Sequence, residues 1–429
     1  MRGARQAFFG WHVVGAAFVS AVFAWGISFY GPPIFLQVLH ASHGWAISVI
    51  SAAISVHFLF GAAVVANLAV LHRRFGIVVV TRAGGLLTAL GLLGWAFARE
   101  PWQLFLAAPV SGSGWAMTSG AALNAMVAPW FVRRRPAALS MAFNGASMGG
   151  VLFSPLWVAL IVRLGFPTTA VVVAAAVTLV LWILAGRYFG RSPAAMGLAP
   201  DGDATDLPEP AVRTRSRVAA VPLSRPWRDW RFVTLAGAAA LGLFAQIGLV
   251  TQLFSVLVPT PGEAGAGVTM GAATACAIGG RLLLGLMMPP GADRRIVAAG
   301  NVALQAMGSV ILLCAGSSVP LLLLGCGLFG LGLGNVTSLP PLIAQAEFNP
   351  TDVSRVVALV TAISQAGYAF APAIFGLLRD LGSSGNRASW PGGAALLFAA
   401  AGLIQIAAAG TVLLGRGASS RTRPAEVRT

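Results

Sequence analysis

An all-α membrane protein, with twelve transmembrane helices in two pseudo-symmetric six-helix bundles, is the fold that this 429-residue sequence predicts. Three observations lead there. The chain is 57% hydrophobic and 9% charged, far from the composition of soluble domains. Apolar stretches of about 20 residues recur along its whole length, each able to cross a hydrocarbon core of ~30 Å. A polar segment near the middle divides those stretches six and six.

The spans fall at 10–39, 45–71, 77–98, 102–128, 137–162 and 167–189, then at 231–258, 266–288, 295–316, 319–346, 353–378 and 392–415. In lipid, backbone groups must be satisfied within a helix or a closed barrel. These runs are long and lack two-residue alternation, which selects helices. Residues 1–190 therefore read as an N-terminal six-helix bundle and 231–416 as a C-terminal one. Residues 191–230 read as a cytoplasmic linker. They carry Pro193, Pro200, Pro208 and Pro210, acidic Asp201, Asp203, Asp206 and Glu209, and then Arg213, Arg215 and Arg217. Such composition cannot bury a core of its own. Residues 417–429 read as a cytoplasmic tail. Met1 to Phe9 is a short basic lead into the first span, which serves as its own insertion signal.

The net charge of +16 comes entirely from arginine. With both termini cytoplasmic, the inner segments hold Arg2, Arg5, Arg73, Arg74, Arg133, Arg134, Arg135, Arg294, Arg295, Arg355, the Arg213–Arg231 group and the tail arginines. The outer loops hold Arg99, Arg163, Arg379 and Arg387, near helix ends. This is the positive-inside asymmetry, which orients the chain and removes the case for nucleic acid. The expected location is the bacterial inner membrane, with lipids as neighbours and a functional monomer as the working unit. Cys276, Cys314 and Cys326 lie singly in apolar spans, without metal or disulfide spacing. No metal or cofactor is expected.

The halves echo each other. Phe131/Phe348, Ser147/Ser364, Gly150/Gly367 and Pro155/Pro372 share an offset of 217 residues, and Arg73-Arg74 corresponds to Arg294-Arg295. Weak repeats about a central linker mark carriers built from two bundles. Gly112, Gly114 and Gly120, with Gly325, Gly327, Gly330, Gly332 and Gly334, allow close helix approach in spans 4 and 10. A phosphate-cradling loop is excluded there, because no strand precedes the glycines.

Arg281 is the most informative single residue. It lies in an otherwise uncharged part of span 8, and no acidic residue sits mid-span anywhere in the chain. A guanidinium at membrane depth costs about 2.5–3.5 kcal/mol on insertion scales, so an anionic ligand is the natural compensating partner. Snorkelling to the headgroups is the competing reading. Gly271, Thr274, Ile278 and Gly285 share its helical face, and small residues there favour an inward cavity. Two parallel N–H groups match a carboxylate bidentately. His57 in span 2 is a candidate for proton coupling, against a neutral histidine bonded within the bundle. Tyr30, Asn144, Asn335, Ser364 and Gln365 are candidate substrate contacts, with interhelical hydrogen bonding as the alternative. Gln246, Thr251 and Gln252 share that ambiguity. Arg73, Arg74, Arg133, Arg134, Asp293 and Arg294 are candidate inner-face anchors or gating residues.

The six-plus-six plan, the arginine-rich loops after spans 2 and 8, and the Trp130–Ser140 segment WFVRRRPAALS resemble the major facilitator superfamily. Gly10-Trp11, Ser28–Gly31, Gly44-Trp45 and Gly280–Gly285 (GRLLLG) resemble its monocarboxylate-transporter and oxalate/formate-antiporter group. That resemblance implies that Arg281 pairs with a substrate carboxylate. It also implies departures. Proton-coupled members carry an aspartate where this chain has Ala277 and a span-1 lysine where it has Tyr30. Oxalate exchangers carry a span-11 lysine where Ser364 or Gln365 falls. Asp293-Arg294 keeps the loop motif after span 8, whereas Arg73-Arg74 replaces it after span 2.

The function expected is transport of a small organic anion, a monocarboxylate first, by exchange, symport or facilitated flux, with alternating access. Two alternatives are an exporter of drugs or other metabolites of the same superfamily and a transport-derived membrane sensor. Enzymatic activity is not expected, because no intramembrane nucleophile, acidic pair or metal set appears.

Overall fold

The structure is a computed structural model that describes residues 8–202, 226–289, 291–349, 352–383 and 394–416. Arg2, Arg5, Asp203, Asp206, Pro208, Pro210, Glu209, Arg213, Arg215, Arg217, Pro350, Arg387 and the expected tail lie outside the described residues.

Helices account for every predicted span. They are α1 (Phe9–Ser28), α2 (Gly31–His43), α3 (Ile47–Ala96), α4 (Pro101–Thr118), α5 (Gly120–Val127), α6 (Arg135–Leu164), α7 (Phe166–Leu184), α8 (Trp230–Leu257), α9 (Gly262–Met287), α10 (Arg294–Ala315), α11 (Val319–Leu333), α12 (Leu339–Glu347), α13 (Val353–Tyr368), α14 (Ala371–Ser383) and α15 (Ala394–Leu414). Nine helical stretches among the described residues are long and apolar enough to cross a membrane. They reconcile with twelve spans because α3 holds two, while α4–α5 and α11–α12 are each interrupted. A straight 50-residue helix would run ~75 Å, far more than one bilayer needs. Gly76, at φ 79° and ψ 157°, breaks α3 between its two spans with a conformation that glycine adopts without strain.

Four predicted spans are interrupted: at Phe29–Tyr30, at Ser119, at Gly334–Ser338 and at Ala369–Phe370. Three of these precede prolines, namely Pro32-Pro33, Pro340-Pro341 and Pro372. Proline withholds a helical N–H and disfavours helix in the residue before it. Acidic caps start other helices. Asp229 accepts from the Arg231 amide at 2.9 Å, and Asp293 accepts from the Arg295 and Ile296 amides.

The chain divides into two compact units. One comprises Met1–Trp45 and Val56–Ser216, the other Ala46–Ser55 and Arg217–Thr429. In the first, α1 packs along α6, and the core gathers Val13, Ala17, Leu123, Met126, Trp130 and Phe131. In the second, α10 packs on α11 and α15, and the core gathers Phe232, Leu235, Ile343, Phe348 and Val360.

Candidate functional site

Arg281 is partly buried on α9, and glycines decide where it goes. A Cβ at Gly280 would collide with the Leu331 carbonyl oxygen, and one at Gly330 with the Ala273 carbonyl oxygen. Backbone therefore meets backbone along the α9–α11 crossing. At its end stands Gly334, where a Cβ would come within 3.0 Å of the Arg281 guanidinium. Arg281 Nε donates a long bond of 3.4 Å to the Gly334 carbonyl. The guanidinium is thus drawn to the point where α11 loses its helical hydrogen bonds. Thr274, on the same face, is buried and turns its hydroxyl to the Met270 carbonyl.

Asn335 adjoins that break. Its amide donates to Asn301 Oδ1 at 3.0 Å, while Asn301 donates to the Gly332 carbonyl at 3.1 Å. The sequence therefore placed Arg281 and Asn335 on different spans, and the fold brings them to one break through Gly334. Ser364 is buried and donates to the Val360 carbonyl of its own helix. Gln365 follows it, half-buried. Thr251 donates to the Ile247 carbonyl. Gln246 is buried with Oε1 unpartnered.

In the first unit, Tyr30 is buried at the α1–α2 break, its ring edge-on to Phe29. Asn144 is half-buried on α6, beside the close α1–α6 crossing that Gly145 permits. His57 is 2% exposed. Its Nδ1 lies 2.8 Å from Ser111 Oγ, which also accepts from Trp95 Nε1 at 3.1 Å and donates to the Ala108 carbonyl. Its ring stacks on Trp115 and meets the edge of Phe58. The ring also faces the Ser28 backbone, but Nε2 has no partner within hydrogen-bonding geometry.

The arginine-rich loops divide by role. Arg73 and Arg74 are exposed, with Arg74 over the Phe75 ring. Arg133 and Arg134 are exposed too, and their amides, with that of Val132, point at the Asp201 carboxylate at 2.8–3.2 Å. Burial opposes charge on Asp201, but the three amides and the Arg133 charge together hold it below the usual carboxylate range. Asp293 caps α10 and pairs with Arg416 at 2.7 Å. Burial again opposes its charge, but Arg416 and the two amides prevail and its pKa is lowered. Arg294 donates to the Leu342 carbonyl.

Two arginines placed above near helix ends or in inner segments are also buried. Arg295 is 1% exposed and paired with Glu347. Arg379 is 6% exposed on α14 and donates to Gln252 Oε1 and Ser255 Oγ, while Gln252 donates to Ser51 Oγ at 2.8 Å. The neighbouring Asp380 accepts from the Ser48 amide. The adjacent Arg379-Asp380 doublet on a proline-started apolar helix was the available signal, since isolated loop charge needs no such partner. Ser111, Asn301, Gln305 and Gln405 are likewise buried polar residues that the sequence reading passed over; polar groups inside apolar spans are the mark of such sites.

Two helical units of broken membrane spans, glycine-packed and carrying buried polar side chains, define a polytopic membrane transporter. The family model of the Major Facilitator Superfamily matches residues 13–372, and the chain belongs to that superfamily. Bovine monocarboxylate transporter 13 (Bos taurus) is 34% identical over 152 residues, which are 34% of this chain and 34% of that protein. Monocarboxylate transporter 3 of Mus musculus is 33% identical over 150 residues, 34% of this chain and 30% of that one. The chain thus spans about a third of the length of the curated relatives it matches. The fold is shared with the nucleoside transporter NupG (TM-score 0.72, 10% identity, 94% of this chain and 100% of that one). It is also shared with a bacterial homologue of the human lysosomal transporter Spinster (TM-score 0.68, 14% identity, 98% of both chains).

Proposed function

We propose that this transporter carries a small organic monocarboxylate by alternating access, with Arg281 receiving the carboxylate. The observation that carries the reading is the placement of Arg281, a guanidinium on the small-residue face of a membrane-spanning helix, held at the α11 break beside Asn335. A guanidinium offers two parallel N–H donors to a carboxylate, and one fixed positive charge matches one carboxylate. The stretches of about 33% identity to monocarboxylate transporters support the same substrate class. In this reading Tyr30, Asn144, Asn335, Ser364 and Gln365 orient the anion, and His57 is the candidate proton carrier. In this reading both termini are cytoplasmic, which the arginine asymmetry supports, and the membrane is a bacterial inner membrane. The chain works as two six-helix bundles, 1–190 and 231–416, around the 191–230 linker, and as a monomer.

Counterflow into proteoliposomes tests it, using a panel of labelled monocarboxylates with the proton gradient present or collapsed. The parent protein accumulates at least one of them. Arg281→Gln loses about 10- to 150-fold in affinity, from ~1.5–3 kcal/mol for a hydrogen bond to a charged group. Flux restricted to cations or neutral drugs, or full affinity in Arg281→Gln, overturns the assignment. His57→Ala separates proton coupling from anion binding: it removes dependence on the gradient and keeps counterflow.

A further inference from the structure

At the α1–α2 break the first unit encloses a cavity of about 10 Å³, lined by Ser28, Pro32, Phe35, His57, Thr88, Leu92, Trp95 and Ser111 among others. Three of those residues bear buried polar atoms without a hydrogen-bond partner: Ser28 Oγ, His57 Nε2 and Thr88 Oγ1. Their residues are 3%, 2% and 2% exposed, so bulk water does not satisfy them. A buried polar group left unpaired is destabilising, and three in one place call for a compensating partner.

A fourth polar group converges there. Ser28 ends α1, and the residue four positions later is Pro32. Pro32 has no N–H, so the Ser28 carbonyl loses the donor that a continuous helix would supply. The His57 ring faces that same backbone. On its other side Nδ1 is engaged by Ser111, leaving Nε2 as the ring atom that lacks a partner.

We propose that this cavity is a binding site for one water molecule, which bridges His57 Nε2 to Ser28 and Thr88 and closes the hydrogen bonding of the interrupted first span. The volume matches the ~10–15 Å³ that one water requires, and the walls supply the two to four polar partners such a water needs. The open volume is about that of one water, so the site is separate from the carboxylate site. The bridge ties the α1–α2 break to α3, whose hydroxyl at Thr88 and imidazole at His57 lie in different spans of that helix. His57 is thereby fixed from both ring nitrogens.

Magic-angle-spinning NMR on ¹⁵N-histidine-labelled protein in lipid bilayers tests the site. The His57 signals are assigned by their loss in His57→Gln. Magnetisation transfers from water protons to His57 Nε2 in the parent protein, and drops at least threefold in Ser28→Ala/Thr88→Val. Thr88→Ser keeps the hydroxyl and keeps the transfer. Absence of water transfer in the parent, which needs no variant to fold, overturns the proposal in favour of a direct Nε2–H bond to the Ser28 carbonyl. Transfer that persists unchanged in the double variant also overturns it, because the water is then held by other groups.

Discussion

Replacing Arg295 by methionine should be among the most damaging single changes in the second unit. Every N–H of its guanidinium is used. Nε and Nη2 grip the two Glu347 oxygens at 2.6 and 2.8 Å, Nη1 donates to Thr234 Oγ1 and the Val412 carbonyl, and Nη2 also reaches the Arg231 carbonyl. One side chain thus joins α8, α10, α12 and α15. Glu347 is only 12% exposed, so Arg295→Met leaves a carboxylate with little water to solvate it. Breaking one side of a buried pair costs about 3–5 kcal/mol, whereas replacing both members by apolar groups is often nearly neutral. Arg295→Met/Glu347→Leu should therefore recover most of that loss. Thr234 keeps its bond to the Trp230 carbonyl in either variant, which limits the residual defect to the backbone carbonyls. Equilibrium unfolding in mixed micelles, read as a double-mutant cycle, measures the coupling. A cost under about 1 kcal/mol for Arg295→Met, or a double variant as unstable as the two singles combined, would refute the reasoning.

Gly280→Val should destabilise by about 1–3 kcal/mol or more through overpacking, because its Cβ meets the Leu331 carbonyl. Gly279→Ala, facing open space, should stay within ~0.5 kcal/mol, and thermal midpoints distinguish them. Arg379→Met removes the donors to Gln252 and Ser255 and should cost ~1–3 kcal/mol for the acceptors left buried, measured by the same unfolding assay. Asp201 has a lowered pKa, so its hold on the 132–134 amides is complete above the ordinary value of about 3.9 and is lost as pH falls through the lower folded value. Hydrogen exchange of those amides, relative to intrinsic rates, should stay protected from neutral pH down to about 4. It should be unprotected at neutral pH in Asp201→Ala; equal protection in that variant would show that the carboxylate does not hold the loop.

The spans were legible because lipid imposes one rule on every residue of a span, and hydrophobic length reports it directly. Three of the four interruptions were legible in principle, since Pro32, Pro340 and Pro372 each withhold a helical donor. The break at Ser119 carries no such residue within its turn, and packing rather than local chemistry sets it. Long-range pairs were not legible. Arg295 and Glu347 lie 52 residues apart, and His57 and Ser111 lie 54 apart. No local pattern states which helix faces which. Arg379 shows the same limit: its place near a helix end was legible, but its burial against α8 was not.

The repeat gives the site its meaning. At the offset of 217 residues or one more, Gly112 and Gly330 both meet a backbone carbonyl of a neighbouring span, of His57 and of Ala273 respectively. Gly114 and Gly332 likewise press on Thr88 and Gln305, which are themselves 217 apart. The two units therefore solve one packing problem in one way. Their polar residues do not follow that rule. At 217 residues Arg281 and Asn301 stand where the first unit has Val64 and Gly84, and His57 and Trp95 where the second has Thr274 and Leu312; in the 218-residue register of the glycines, Asn335 stands opposite Met117 and Ser111 opposite Phe329. Helix crossing does not demand these groups, because the counterpart positions make the same crossings without them. A partly buried guanidinium or a buried imidazole that packing does not require, and that lipid makes expensive, needs a reason of another kind. Under the proposed function, recognition of an anion by the second unit and protonic chemistry in the first would supply one, and would assign the two halves of a duplicated chain to different tasks.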